Sequence, residues 1–355
     1  MSVHNFLTWV YDLQRPKPAS MLEVCLRSLV TTVALIAVVG CGSHDSPPMG
    51  PLNWRTTPTV IQLQSDPGDY IGAGKSYEYT KADAIITVGD TGGRFSLEVT
   101  GDEHWSADFV LPSANTSLQP GTYTGLTRYP FSDPAKGGLD WSGEGRGCNT
   151  LTGSMTIDTA KYDGSTLTAL DLRFEQHCEG NTIALHGTIH WSLADRTRPS
   201  GPVYPIPTDL WKPDVGSTPP NGNYVYLKSD PGDWVGTGQT LTYTATTAVS
   251  LKINGRLLTI SVDGWGWSGD FQAMNTLISL RPGYYGGLRR YPFNNPVKGG
   301  LDWFGEGHGC DTLTGWFAID AITIAGDTPT MLDLRFEQHC EGATPALRGA
   351  IHWVQ

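Results

Sequence analysis

Residues 148–178 read CNTLTGSMTIDTAKYDGSTLTALDLRFEQHC, and the same framework returns at 310–340. Two cysteines thirty residues apart enclose alternating apolar residues on both sides of Asp163-Gly164. A period of two argues for strand, and Asp-Gly favours a two-residue hairpin turn. In a hairpin, directly opposed residues share a constant index sum. For Cys148 and Cys178 that sum is 326, which centres the turn at residue 163; for Cys310 and Cys340 it is 650, centring it at 325. The spacing therefore predicts cysteines facing each other across the open end of each hairpin, and the disulfides Cys148–Cys178 and Cys310–Cys340. Fourteen residues per arm exceeds a usual strand, so a bend or bulge is expected near Gly153 and Gly315.

The string LDLRFEQHCEG occurs verbatim at Leu170–Gly180 and Leu332–Gly342. Alternation sorts it into two faces: Leu170, Leu172, Phe174, Gln176 and Cys178 turn to the core, while Asp171, Arg173, Glu175, His177 and Glu179 turn outward. Core packing accounts for the first set. For the second, one reading is a solvated face stitched by cross-strand ion pairs to Arg128, Asp140 and Glu144, and to Arg290, Asp302 and Glu306 in the second copy.

The duplication runs through most of the chain. SDPGD at 65–69 returns at 229–233, WSADF at 105 as WSGDF at 267, and RYPF at 128 again at 290. GLDWSGEGRGCNTLTG at 138–153 returns as GLDWFGEGHGCDTLTG. Runs such as Thr59–Gln64, Arg94–Thr100 and Leu257–Val262 alternate, with Gly, Pro, Asn and Asp between them every eight to twelve residues. This predicts an all-β fold: two tandem antiparallel β-sandwich domains, jelly-roll or immunoglobulin-like, of eight or nine strands each, at 59–194 and 223–355. The intervening segment 195–222 carries seven prolines and reads as a semi-stiff, mostly extended spacer. Asp66-Pro67-Gly68-Asp69 reads as a type II turn rather than a calcium loop.

Ahead of the repeats, SLVTTVALIAVVG at 28–40 is too short to span a bilayer and suits the core of a signal peptide. Val38-Val39-Gly40-Cys41 resembles a bacterial lipobox, which implies lipidation of Cys41, a tether at 41–58 and a membrane partner through the lipid. Met21 offers an alternative start. Gly42, where an Asp would favour the inner membrane, points to the outer membrane or cell surface. Three of the 24 basic and two of the 35 acidic residues precede Cys41, leaving a net charge of −12 after it. No Lys/Arg cluster remains, which argues against nucleic acid as a partner.

The candidate binding residues are Asp140, Trp141, Glu144, Glu175, His177 and Glu179, with Asp302, Trp303, Glu306, Glu337, His339 and Glu341 in the second copy. The carboxylates and imidazoles suit a cation or sugar hydroxyls; Glu144 with Glu175 also has the composition of a glycosidase pair. Tyr129 and Tyr291, together with Phe131, Phe293 and the two tryptophans, suit a platform for sugar rings. Trp265 has no counterpart and reads as a copy-specific contact. No Ser-centred elbow or HExxH motif occurs, so no catalytic residue, metal ligand or cofactor is assigned.

The motifs SDPGD[YW], RYPF, GEG.GC.TLTG and FEQHCEG together resemble a repeated domain of secreted bacterial proteins and lipoproteins that has no assigned activity. The resemblance covers nearly all of 59–194 and 223–355 and implies an extracytoplasmic module. The expectation is a non-catalytic binding or envelope-structural protein whose favoured ligand is a carbohydrate or cell-wall polymer. A carboxylate-pair hydrolase and a metal-binding surface lipoprotein are the alternatives.

Overall fold

A computed structural model describes residues 58–244, 249–264 and 266–355. Cys41, the signal segment and Trp265 lie outside them. Among the described residues there is no helix, and each repeat forms one hydrogen-bonded sheet of ten strands. In the first these are β1 (Val60–Ser65), β2 (Ser76–Thr80), β3 (Ile85–Thr91), β4 (Arg94–Thr100), β5 (His104–Val110), β6 (Gly121–Arg128), β7 (Gly138–Gly143), β8 (Leu151–Asp163), β9 (Thr166–Cys178) and β10 (Leu185–Ser192). The second has β11 (Tyr224–Ser229), β12 (Thr240–Tyr243), β13 (Val249–Asn254), β14 (Leu257–Val262), β15 (Trp267–Gln272), β16 (Gly283–Arg290), β17 (Gly300–Phe304), β18 (Leu313–Ala325), β19 (Thr328–Cys340) and β20 (Leu347–Val354).

The strand order β2-β1-β10-β9-β8-β6-β7-β5-β4-β3 recurs in the second repeat. Pairing is antiparallel except for a two-residue parallel contact between β6 and β7, and between β16 and β17. The strand count is ten, and the two layers are halves of a single sheet coiled onto itself. Trp141 on β7 stacks on Phe174 on β9 with ring centres 5.2 Å apart, and Phe109 on β5 meets the same ring at 5.2 Å. Each inner face thereby closes on one aromatic and aliphatic core, the main stabilising term for such a fold.

The hairpins form where the spacing places them. Asp163 pairs with Thr166 and Ala325 with Thr328, leaving Gly164 (φ 60°) and Gly326 (φ 63°) in the first of two turn positions. The disulfides are Cys148–Cys178 and Cys310–Cys340, with Cα atoms 5.1 and 5.0 Å apart. Their register corrects the expectation, however. Cys178 lies opposite Leu151, and Cys340 opposite Leu313, so the first cysteine of each pair lies in the loop before the strand. The cause is Glu179, whose carboxylate accepts the N–H groups of Asn149 and Thr150 at 2.6 and 3.3 Å and bends the chain off the ladder. Register does shift beside Gly153 and Gly315, where β8 and β18 pair with β6 and β16, and the hairpins themselves carry further bulges at Asp158 and Asp320 and between Lys161 and Tyr162 and Thr323 and Ile324.

Inside the core, Gln176 is fully buried and spans the gap between the halves of the sheet. Strand β6 leaves β7 after Leu139, so the Trp141 backbone has no strand partner on that side. The Gln176 side chain supplies one. Its Oε1 accepts the Trp141 N–H at 2.8 Å and its Nε2 donates to the Trp141 carbonyl at 2.9 Å. Gln338 does the same for Trp303 at 2.9 and 2.7 Å. Buried backbone groups must be paired, and here one amide pairs both.

The proline-rich segment is not a free spacer. Val203 exchanges two backbone hydrogen bonds with Tyr284, both 2.9 Å. Trp211 stacks parallel to Tyr226, and its carbonyl accepts from Arg335 at 2.7 Å. Asp214 pairs with Lys228 at 2.9 Å. The repeats also touch directly: Asn295 donates to the Asp83 carbonyl and to Asp102, and Lys298 pairs with Asp102 at 2.5 Å.

Candidate functional site

The duplicated motifs meet at one end of each sheet, the end that carries the disulfide. In the first repeat it holds the loop 66–75, the turn 143–146, the loop 147–150 and the loop 179–184. Asp66-Pro67-Gly68-Asp69 makes the expected turn, with Gly68 at φ 94° and the Asp69 N–H on the Asp66 carbonyl. Asp69 is buried and accepts from Ser65 Oγ, Ile71 N and Gly72 N, so its carboxylate is used up in fixing the loop. Asp233 repeats this arrangement.

Several candidate residues serve the same framework. Glu144 stands exposed in a tight turn at φ 52°, and its carboxylate accepts the His104 N–H at 2.8 Å. Glu306 holds the matching turn at φ 52°. Glu179 and Glu341 cap the loops before β8 and β18 through backbone N–H groups and the Thr150 and Thr312 hydroxyls, and these bonds hold both carboxyls below their ordinary range. Glu175 lies on the outer face of β9, and β9 packs across the core from β7, which carries Glu144. The two carboxylates therefore do not share a partner or a face. Trp141 and Trp303 are fully buried against Phe174 and Phe336, which removes them from any platform.

The outward face of β9 is stitched, but to its own neighbours rather than to Arg128, Asp140 and Glu144, which belong to the opposite half of the sheet. Arg173 donates two hydrogen bonds to the Asp158 carboxylate at the bulge (2.8 and 2.9 Å), and Asp171 pairs with His190 on β10. Glu175 meets His177 at 2.8 Å and His186 at 3.4 Å, and His186 reaches Asp66 at 3.6 Å. In the second repeat Arg348 replaces that histidine and ties Glu337 to Asp230. His339 lies 3.4 Å from Glu337. Among the described residues no three His, Cys, Asp or Glu side chains gather as a metal site.

What remains unaccounted for by structure is aromatic. Tyr70 and Trp234, which follow SDPGD in the two copies, are 58% and 59% exposed; Phe131 and Phe293 are 79% and 78% exposed. Arg128 and Arg290 lie over the phenylalanine rings at 5.6 and 5.7 Å, and His308 meets the edge of Trp234 at 4.8 Å. Tyr129 and Tyr291 are half-buried beside them, each preceding a cis proline. Tyr70 and Trp234 are positions that sequence reasoning passed over, although the motif itself carried them; their signal is an aromatic in both copies directly after a turn.

In the second repeat this end also holds a shallow depression of about 450 Å³. Asp302 and Asp270 floor it, and Arg290, Tyr291, Phe304 and His308 wall it. Asp302 is only 8% exposed, with Arg290 Nε 3.3 Å from one oxygen and no partner on the other. Burial raises its carboxyl above the ordinary range. Asp140 is placed likewise, with Arg128 at 3.7 Å. No protein-family model, curated sequence or solved structure matches this chain.

Proposed function

We propose that the chain is a lipid-anchored, extracytoplasmic binding module whose aromatic, disulfide-bearing ends hold a carbohydrate or cell-wall polymer without cleaving it. The observation that carries this reading is the exposure of Tyr70, Trp234, Phe131 and Phe293, matched between copies to within one per cent. Glu144, Glu179 and Glu341 around them are committed to turns and caps, whereas these rings have no structural task that demands exposure. Rings held over turns and backed by arginine present flat apolar faces to sugar rings. Two disulfides support an oxidising compartment. The lipobox-like Val38-Val39-Gly40-Cys41 supports an anchor at the outer membrane or cell surface.

Co-sedimentation with insoluble polysaccharides, peptidoglycan included, tests the reading. Retention without release of reducing ends is expected. At about 1 kcal/mol per stacked ring, replacing Trp234 and Phe293 together by Ala should weaken retention roughly tenfold or more while the fold is kept. Retention on none of the polymers, or retention indifferent to both changes, would defeat it. Release of reducing ends abolished by Glu144→Gln would establish the hydrolase instead.

A further inference from the structure

The two repeats differ at one position in a way that turns one copy into a template for the other. In the first, Arg94 opens β4 opposite Val110. Its Nε and Nη2 both reach Asp108 Oδ1, at 2.8 and 2.6 Å, and its guanidinium lies over the Tyr129 ring at 4.9 Å. In the second, the acceptors persist as Asp270 and Tyr291, but the residue opening β14, opposite Gln272, is Leu257. In the first repeat Arg94 thus pairs with Asp108 and Arg128 with Asp140, whereas in the second Arg290 pairs with Asp302 and the arginine before Leu257, Arg256, donates to the Asn275 carbonyl at 2.6 Å. Asp270 accepts a hydrogen bond from Thr259 at 2.7 Å and has no cationic partner among the described residues. Asp302 Oδ1, like Asp140 Oδ1 in the first repeat, is a buried carboxylate oxygen without a hydrogen-bond partner, and in the second repeat Asp302 lines the depression together with Asp270.

We infer that the depression in the second repeat is a binding site for a guanidinium group. The incoming group takes the place Arg94 fills in the first repeat. It lies flat over the half-buried Tyr291 ring and donates N–H groups to Asp270, which supplies the missing positive charge beside Asp302. A planar cation satisfies both the ring face and the carboxylate edge; an ammonium meets them less well, being a compact, strongly hydrated charge. In the first repeat the same place is filled from within, so one chain binds one such group. The site lies beside the exposed rings but does not depend on their holding sugar.

Titration of the full chain with arginine amide, followed by chemical shifts at Asp270 and Tyr291 and by calorimetry, tests the inference. Lysine amide and the neutral citrulline amide are the comparison probes. Binding of arginine amide at one site is expected, at least about tenfold tighter than that of either comparison probe. Leu257→Arg, which copies the first repeat, should abolish binding. Asp270→Asn should weaken it about tenfold. Arg94→Leu should raise the stoichiometry from one to two. Equal binding of citrulline amide or lysine amide, binding untouched by Leu257→Arg, or no binding at all overturns the inference. Because Leu257→Arg leaves Trp234 and Phe293 in place, its polysaccharide retention should be unchanged, so this inference and the carbohydrate reading fail separately.

Discussion

Gln176 acts as a short piece of strand made from a side chain. Its amide meets the Trp141 N–H and carbonyl where β6 has left, and Gln338 repeats the geometry around Trp303. Replacing Gln176 by Leu keeps the volume but strands two buried backbone groups. The expected loss is about 2–4 kcal/mol, read from denaturant unfolding of the first repeat. A second contrast concerns the equivalent arginines. Arg173 and Asp158 are both well exposed, whereas Arg335 is 7% exposed because the proline-rich segment covers it and accepts from it. Arg173→Ala should cost under about 1 kcal/mol and Arg335→Ala more, about 1–3 kcal/mol, since only Arg335 is itself buried and also bonds the Trp211 carbonyl. Alternation alone was enough to turn Gln176 inward and Arg173 outward. It could not reveal what Gln176 bonds, because that depends on where a distant strand departs. It also could not separate Arg173 from Arg335, whose difference comes from a segment some 120 residues away.

At the scale of the element, the β8–β9 hairpin and its twin were largely readable. Strands β4 and β14 coincide with the alternating runs at Arg94–Thr100 and Leu257–Val262. The disulfide register was off by three residues because a carboxylate cap, not the ladder, sets the path of residues 148–150. One contact between neighbouring strands shows how closely the core is fitted. Gly187 on β10 lies opposite Phe174, and a Cβ built there would meet that ring at 2.1 Å; Gly349 and Phe336 meet at 2.0 Å. Gly187→Ala therefore has to push the ring that stacks on Trp141. Differential scanning calorimetry should show a loss of about 1–3 kcal/mol or more in the first repeat. The paired change Gly187→Ala with Phe174→Leu should recover part of that loss. The candidate site was legible only in part: Asp302 and Tyr291 do share a depression, but Trp141 and Trp303 are core, because an inward strand position outranks the aromatic's flanking glycines.

Across the molecule, each repeat is closed where the chain joins and leaves it. Asp195 accepts the N–H groups of Thr59 and Thr197, both at 2.9 Å, with Lys81 at 3.8 Å. Burial would raise its carboxyl, but these bonds outweigh that effect and hold it at about 2. An unfolded Asp titrates near 3.9, so the unfolded state binds more protons between about pH 2 and 4. The carboxylate's contribution, about 2 kcal/mol, is complete above roughly pH 5 and is lost as pH falls through 2. Wild type should exceed Asp195→Asn in melting temperature at pH 7, and the gap should narrow toward pH 2. The second repeat closes instead through the Asn223 amide on the Val354 backbone, which carries no ionisable group and should show no such narrowing when Asn223 is replaced.

That closure lies at the foot of β1 and β11, whereas the disulfide and the exposed rings lie at the head. Under the function proposed above, a pull between an anchor ahead of Thr59 and a polymer gripped at Tyr70 would run along β1, parallel to its axis. Flanked on both sides by β2 and β10, that strand meets the force in shear, with its row of backbone bonds loaded together rather than peeled open one by one. A strand held in that way would resist such a pull far better than the equilibrium stability of the repeat alone implies.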